Sequence, residues 1–217
     1  MIPETGKIYE GDALEIMRTW PDKCVDLVLT DPPYGMNYFS NHYKDGNPHS
    51  EIAGDSSFPH EAVKEFFRIA RGGVFCFMRW NNLQELKKEP KSFIVWAKNN
   101  WSAGDLEHEY GRQWEGCAFW PLENHAFIGR PSDVIDARRV PSTELQHPTE
   151  KPVYLLEEIL RHNIGQIICD PYCGSGSTLL AAERLGRKWI GIEIEPKYCA
   201  IAQARVDAER AQLKLFP

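Results

Sequence analysis

The chain has 217 residues, 42% of them hydrophobic and 26% charged, with 25 Lys+Arg against 31 Asp+Glu for a net charge of −6. That composition excludes a disordered chain, a fibre or a coiled coil, and a chain this long buries roughly 70% of the surface exposed on unfolding, so it needs no disulfide or metal staple. The acidic balance excludes binding to nucleic acid through bulk charge, so any such contact must come from a local basic surface.

Short apolar runs alternate with helical patterns, which predicts an α/β protein with a mostly parallel central sheet and helices on both faces. Val25–Thr30 reads as a buried strand that stops at Asp31-Pro32-Pro33. Glu61–Arg71 reads as a helix ended by Gly72-Gly73, Val74–Met78 as a strand, Asn82–Lys88 as a short helix and Phe93–Ala97 as a strand. Cys117–Trp120 and His125–Ile128 flank Pro121-Leu-Glu-Asn124 and predict an antiparallel hairpin toward the C-terminal side. Pro152 opens a helix with Leu155, Leu156, Ile159 and Leu160 on one face. Strand Gln166–Cys169, helix Ser177–Leu185, strand Lys188–Glu193 and helix Pro196–Glu209 complete the pattern. Met36–Pro59 and Ser102–Glu115 exceed ordinary loop length and read as functional loops.

The six cysteines (Cys24, Cys76, Cys117, Cys169, Cys173 and Cys199) form no Cys-x-x-Cys, and several lie in apolar runs, so they read as reduced and buried. No metal site is expected. No apolar run nears the roughly 18 residues of a membrane span, and residues 1–10 show no secretion signal. A cytoplasmic protein is expected.

Two strings carry chemistry. The first is Asp31-Pro32-Pro33-Tyr34-Gly35, directly after a buried strand. The prolines fix the backbone and remove two donors, so carbonyls can face a ligand. A carboxylate beside a carbonyl is a clamp of two acceptors, suited to an amino group with two N–H donors, and Tyr34 offers a face on which a base can stack. The alternative is a rigid turn with a solvent-facing Asp. The second string is Ile167-Ile-Cys-Asp-Pro-Tyr-Cys-Gly-Ser-Gly-Ser-Thr178, in the order strand, glycine loop, helix start. Gly174 and Gly176 allow close approach to the backbone, and Glu193, 17 residues after Gly176, stands at the tip of the next strand, where a carboxylate holds ribose hydroxyls. Leu179 replaces the third glycine of a dinucleotide fingerprint, and the Lys-Ser/Thr ending of a nucleoside-triphosphate loop is missing. An adenosine ligand without pyrophosphate fits better, which describes S-adenosylmethionine.

The pairing of DPPYG near the start with DPYCGSGST and GIEIEPKY near the end resembles the amino-group DNA methyltransferases (N6-adenine and N4-cytosine), in the order that places the catalytic half first. Gly11-Asp-Ala-Leu14, Trp96-Ala-Lys98 and His147-Pro-Thr-Glu-Lys-Pro152 resemble further landmarks of that family, and the match is closest to short, solitary adenine methyltransferases of phages and prophages. The resemblance implies a Rossmann-like S-adenosylmethionine-dependent methyltransferase domain over 1–217: a catalytic half at 1–130, a short target-recognition segment at 131–146, and a cofactor half at 147–217. Asp31, Pro32, Pro33 and Tyr34 would be catalytic, with Asp31 also beside the cofactor. Asp12 and Ala13 would hold the cofactor's adenine and Glu193 its ribose. Asp170, Tyr172, Gly174, Ser175 and Gly176 would line its methionine part, closed over by His147, Thr149 and Lys151.

The implied partner is double-stranded DNA, with no membrane, contacted through His42, Lys44, Arg138 and Arg139. Few phosphate contacts imply weak binding or a homodimer presenting two such surfaces. Asp31 at the head of the clamp favours adenine N6, with cytosine N4 or a catalytically silent cofactor- or DNA-binding module as alternatives. A nicotinamide oxidoreductase is disfavoured by the incomplete glycine fingerprint.

Overall fold

Two sets of apolar side chains, alternating along the strands, organise the molecule. The computed structural model describes residues 1–35, 39–40, 50–51, 57–86, 88–98, 107–108, 110–141 and 143–215. The first part runs β1 (Lys7–Glu10), α1 (Ala13–Arg18), β2 (Val25–Thr30), a small ribbon of β3 (Phe39–Ser40) and β4 (Ser50–Glu51), α2 (His60–Ile69), β5 (Ala70–Met78) and a 3-10 turn at Asn82–Glu85. The rest runs β6 (Ser92–Ala97), β7 (Trp114–Pro121), β8 (Val134–Asp136), α3 (Val153–Arg161), β9 (Ile167–Asp170), α4 (Ser177–Arg184), β10 (Lys188–Glu193) and α5 (Pro196–Leu215).

Eight strands form one sheet in the order β1-β10-β9-β2-β5-β7-β6-β8. Only β7 runs against the others, pairing antiparallel with β5 and β6. Leu27, Leu29, Phe75 and Phe77 point into one core with residues of α3 and α4, while Val28, Val74, Cys76 and Met78 point into the other with residues of α1 and α2. Strands covered on both faces lose the polar–apolar alternation of a half-exposed sheet, which is why β2 and β5 read as continuous apolar runs.

The chain crosses from β2 through α2 to β5 in one direction, and from β9 through α4 to β10 in the other. The winding therefore reverses between β9 and β2. In open α/β sheets the crevice beyond the strand carboxyl ends at such a reversal is where ligands bind, and Asp31, Asp170 and Glu193 all fall at that edge.

Several expectations need correction. The hairpin about Pro121–Asn124 does not form: Leu122–His125 turns, but beyond it only Phe127 makes a bridge, to Asn163. The antiparallel partners of β7 come instead from β5 and β6. Gly72 and Gly73 do not stop α2; they lie inside β5, where a Cβ on Gly72 would sit 2.9 Å from the Asp26 carbonyl. At the start of the expected helix Asn82–Lys88, Asn82–Glu85 forms a 3-10 turn. Part of the segment 131–146 is β8, an edge strand of the main sheet. The cysteines are all free, yet Cys24 and Cys199 are only partly buried. Among the described residues no helix is long and apolar enough to cross a membrane.

Candidate active site

Asp31 follows the last residue of β2 and is partly buried, with its side chain 20% exposed. Its Oδ1 accepts from the Tyr34 hydroxyl and its Oδ2 from Lys151 Nζ. The turn that presents these groups is held from below: Asn82 Nδ2 donates to the Tyr34 carbonyl at 3.3 Å. Gly35 closes it with φ +75°, and a Cβ there would sit 2.8 Å from Phe58 N, so both conformation and space require glycine. Tyr34 and Gly35 line a cavity of about 360 Å³ together with Ser57, Phe58, His60, Arg79, Asn81 and Asn82. A larger cavity of about 520 Å³ opens at the other end of the sheet, beside the Asp26–Arg71 ion pair, and none of the residues chosen from sequence line it.

The glycine loop lies at the neighbouring strand tip. Thr30 Oγ1 donates to Asp170 Oδ1 at 2.7 Å, which joins the end of β2 to the end of β9. The Tyr172 amide donates to the same oxygen at 3.1 Å. Burial outweighs these hydrogen bonds and raises the Asp170 carboxyl to about 6. Gly174 has φ +49° and Gly176 φ +84°. Gly176 is the residue before α4 and packs against α5, where a Cβ would meet that of Ala202 at 2.8 Å. The Gly174 amide donates to Glu193 Oε2 at 2.9 Å, and the Glu195 amide to Glu193 Oε1 at 2.8 Å. One step further along the edge, the Gly11 amide donates to the Glu193 carbonyl at 2.9 Å, and Asp12 caps α1 by accepting from the Glu15 amide at 2.9 Å. Asp12 and Ala13, Glu193, and the Gly174 loop thus occupy three adjacent strand tips.

The segment 147–151 bridges the two strings. The His147 ring stands against Tyr198 with centroids 4.4 Å apart, and a Cβ on Gly174 would lie 3.5 Å from it. Burial, helped by Lys151 and Lys197, lowers the His147 pKa to about 4, so the ring is neutral. Thr149 meets His147 Nδ1 through both its amide and its hydroxyl. Glu150 accepts from Ser177 Oγ at 3.4 Å and pairs with Arg205 at 2.7 Å. Arg205 in turn donates to the Ser175 carbonyl and hydroxyl. Lys151 is placed on Asp31 and, 3.2 Å away, on Glu115.

Arg138 and Arg139 are exposed just beyond β8, at the same sheet edge as Asp31. His42 and Lys44 lie outside the described residues. The sequence assigned no role to Thr30, Asn82, Glu115 and Arg205, and marked Lys98 and Glu150 only as parts of family landmarks. Lys98 and Glu115 carry one usable signal, since each is a lone charge at the end of an apolar strand run.

The donor set suits a ligand with hydroxyls and a polar tail. Each Glu193 oxygen has a second lone pair beyond the one taken by a backbone amide, and the His147 ring lies nearest the open side of Gly174.

The chain is similar to several known proteins. A family model described as DNA methylase, of the N6/N4 methyltransferases, matches residues 105–204. The type II methyltransferase M2.DpnII of Streptococcus pneumoniae is 28% identical over 93% of this chain and 90% of its own length. M2.LlaDCHI of Lactococcus lactis subsp. cremoris, also a type II methyltransferase, is 26% identical over 94% and 90%. The crystal structure of an M1.HpyAVI–SAM complex superposes with a TM-score of 0.67 at 25% identity, covering 92% of this chain and 98% of that one. With the acidic Pro-Pro-Tyr turn set against the glycine loop at one sheet edge, the chain is similar in sequence and fold to the amino-group DNA methyltransferases of the N6/N4 family.

Proposed function

We propose that the chain methylates the exocyclic N6 amino group of adenine in double-stranded DNA, with S-adenosylmethionine as methyl donor. The observation that carries this reading is the pair of contacts Thr30 to Asp170 and Lys151 to Asp31, through which the end of β2 and the bridging segment 147–151 set the amine clamp beside the glycine loop. The loop Gly174–Gly176, Glu193 and Asp12 would hold S-adenosylmethionine, which supplies an electrophilic methyl group when bound. The type II methyltransferase relatives suggest a restriction–modification setting.

An exocyclic amine is a poor nucleophile because its lone pair is delocalised into the ring. Asp31 and the Pro32 carbonyl accept its two N–H groups and favour a pyramidal nitrogen whose lone pair is free to attack. Tyr34, on the cavity wall, stacks on a base turned out of the duplex. Burial, with the negative charge of Glu115, raises the Asp31 pKa, while Lys151 works against both. The result is a carboxylate basic enough to support positive charge as it develops on the nitrogen. Catalysis then rests on positioning and charge stabilisation, with no covalent enzyme intermediate. Asp31 at the head of the clamp favours adenine, since Ser is common there in relatives that methylate cytosine.

The test is transfer of tritium from labelled cofactor to unmethylated DNA, followed by digestion and separation of nucleosides. Label in N6-methyladenine is expected. Label in N4-methylcytosine would move the assignment to cytosine, and no label would leave a binding module.

A further inference from the structure

Four side chains of alternating charge run inward from β6 to the clamp. Lys98, just after β6, donates from Nζ to Glu115 Oε1 on β7. Glu115 Oε2 lies 3.2 Å from Lys151 Nζ, and Lys151 bonds Asp31. Trp96 and Glu115 are direct partners in the β6–β7 ladder, so the register of the sheet places the Glu115 carboxylate beside Lys98. Both lysines are buried, with side chains 8% and 7% exposed. Burial alone would raise the Glu115 carboxyl, yet Lys151 and Lys98 hold it at about 2.

Asp31 is the acceptor in the catalytic scheme, and Glu115 enters it so far only as a nearby negative charge. A cation as close to Asp31 as Lys151, left to that carboxylate alone, would neutralise the acceptor that the amine needs. We propose that Glu115 is a positioning residue for methyl transfer: by sharing Lys151 with Asp31, it keeps the Asp31 carboxylate an effective acceptor for the target amine. The inference rests on the reading of Asp31 as the amine acceptor. Among the described residues, the other groups that bear on Asp31 are Tyr34 on its own turn, Cys76 of β5, Cys117 of β7 and Asp170 at the tip of β9. None of these brings a cation.

The experiment measures the rate of methyl transfer to unmethylated DNA from about pH 4.5 to 9 for wild type, Glu115→Gln, Glu115→Asp and Lys98→Gln, beside S-adenosylhomocysteine affinity by calorimetry. Removing the Glu115 charge leaves Lys151 wholly to Asp31. In Glu115→Gln, kcat should therefore fall roughly tenfold and the acid limb should move to lower pH, with KM for DNA and cofactor affinity within about twofold. Removing Lys98 frees Glu115 to draw Lys151 away, so in Lys98→Gln the acid limb should move to higher pH. Glu115→Asp keeps the charge and should keep the limb at its wild-type position. A merely structural role would lower stability or affinity without moving the limb.

An acid limb that stays in place or moves upward in Glu115→Gln overturns the inference. If Glu115→Gln does not fold, Lys98→Gln decides alone, and an unmoved limb there overturns it too. Asp31→Asn, run alongside, separates the two failures. A wild-type rate in Asp31→Asn removes the amine-acceptor reading and this inference with it. A slow Asp31→Asn with an unmoved limb in Glu115→Gln removes only the role given to Glu115.

Discussion

Thr30 Oγ1 and Asp170 Oδ1 lie 2.7 Å apart across the point where the sheet reverses its winding, 140 residues apart in the chain. The bond fixes the tip of β2 against the tip of β9, and so fixes the clamp against the glycine loop. It also joins a buried carboxyl whose pKa is raised to about 6, against about 3.9 in an unfolded chain. The folded state therefore binds that proton more tightly. Stability from this group is full below about pH 4 and is lost as pH rises through about 6. Asp170→Asn keeps an acceptor for Thr30 without the charge, so it should match wild type near pH 4 and exceed it at pH 8 by roughly 2–3 kcal/mol. His147, lowered to about 4, acts in the opposite direction but is common to both proteins and cancels in the difference. Thermal melts at the two pH values decide, and a variant less stable than wild type at pH 8 contradicts the account.

Asp31 separates an enzyme from a binding module. Asp31→Ala should abolish or nearly abolish methyl transfer, while S-adenosylhomocysteine affinity changes by less than about tenfold, or roughly 1.4 kcal/mol. Asp31→Asn, with one acceptor oxygen and no charge, should retain more activity than Ala and far less than wild type. Because Lys151 is buried against Asp31, the Ala variant should also lose stability, as a buried cation is left with Glu115 alone. Transfer at the wild-type rate in Asp31→Ala would remove the clamp from the mechanism.

Gly174→Val tests where the cofactor lies. The residue has φ +49°, and its missing side chain faces the His147 ring at ordinary contact distance. Valine there is strained by roughly 1–2 kcal/mol and fills the space between loop and ring. Cofactor affinity should be lost with the fold retained, as read by calorimetry and circular dichroism. Unchanged affinity in a folded variant would place the cofactor elsewhere.

DNA contact should depend on Arg138 and Arg139, both exposed at the sheet edge that carries Asp31. Replacing both with Gln should weaken DNA binding and reduce the slope of log affinity against log salt by up to about 2, leaving S-adenosylhomocysteine affinity unchanged. An unaltered slope in fluorescence-anisotropy titrations would exclude them as phosphate contacts.

Central strands were readable from sequence and edge strands were not, for a physical reason. β2 and β5 are buried on both faces, and their apolar runs are unambiguous. β1, Lys-Ile-Tyr-Glu, and β8, Val-Ile-Asp, lie at the two edges of the sheet and have exposed ends, so four and three residues give no usable period. The error at His125–Ile128 has the same root: an apolar run does not say which strand it pairs with, and β7 takes distant partners. In the site, Asp31, Asp170 and Glu193 were readable because each ends an apolar run and is followed by a proline, a glycine loop or a helix. Glu115 and Lys98 were not, because their role comes from cross-strand register and from a lysine that precedes α3.

Glu150 and Lys151 are consecutive residues, yet one grips the end of the glycine loop through Ser177 and Arg205 and the other grips Asp31. A peptide bond between two such grips allows neither site to shift without pulling on the other. Ligand binding at the two should therefore be thermodynamically linked, and linkage is reciprocal. Whatever factor S-adenosylhomocysteine applies to DNA affinity, DNA must apply to S-adenosylhomocysteine, and cutting either grip should bring both factors toward unity together.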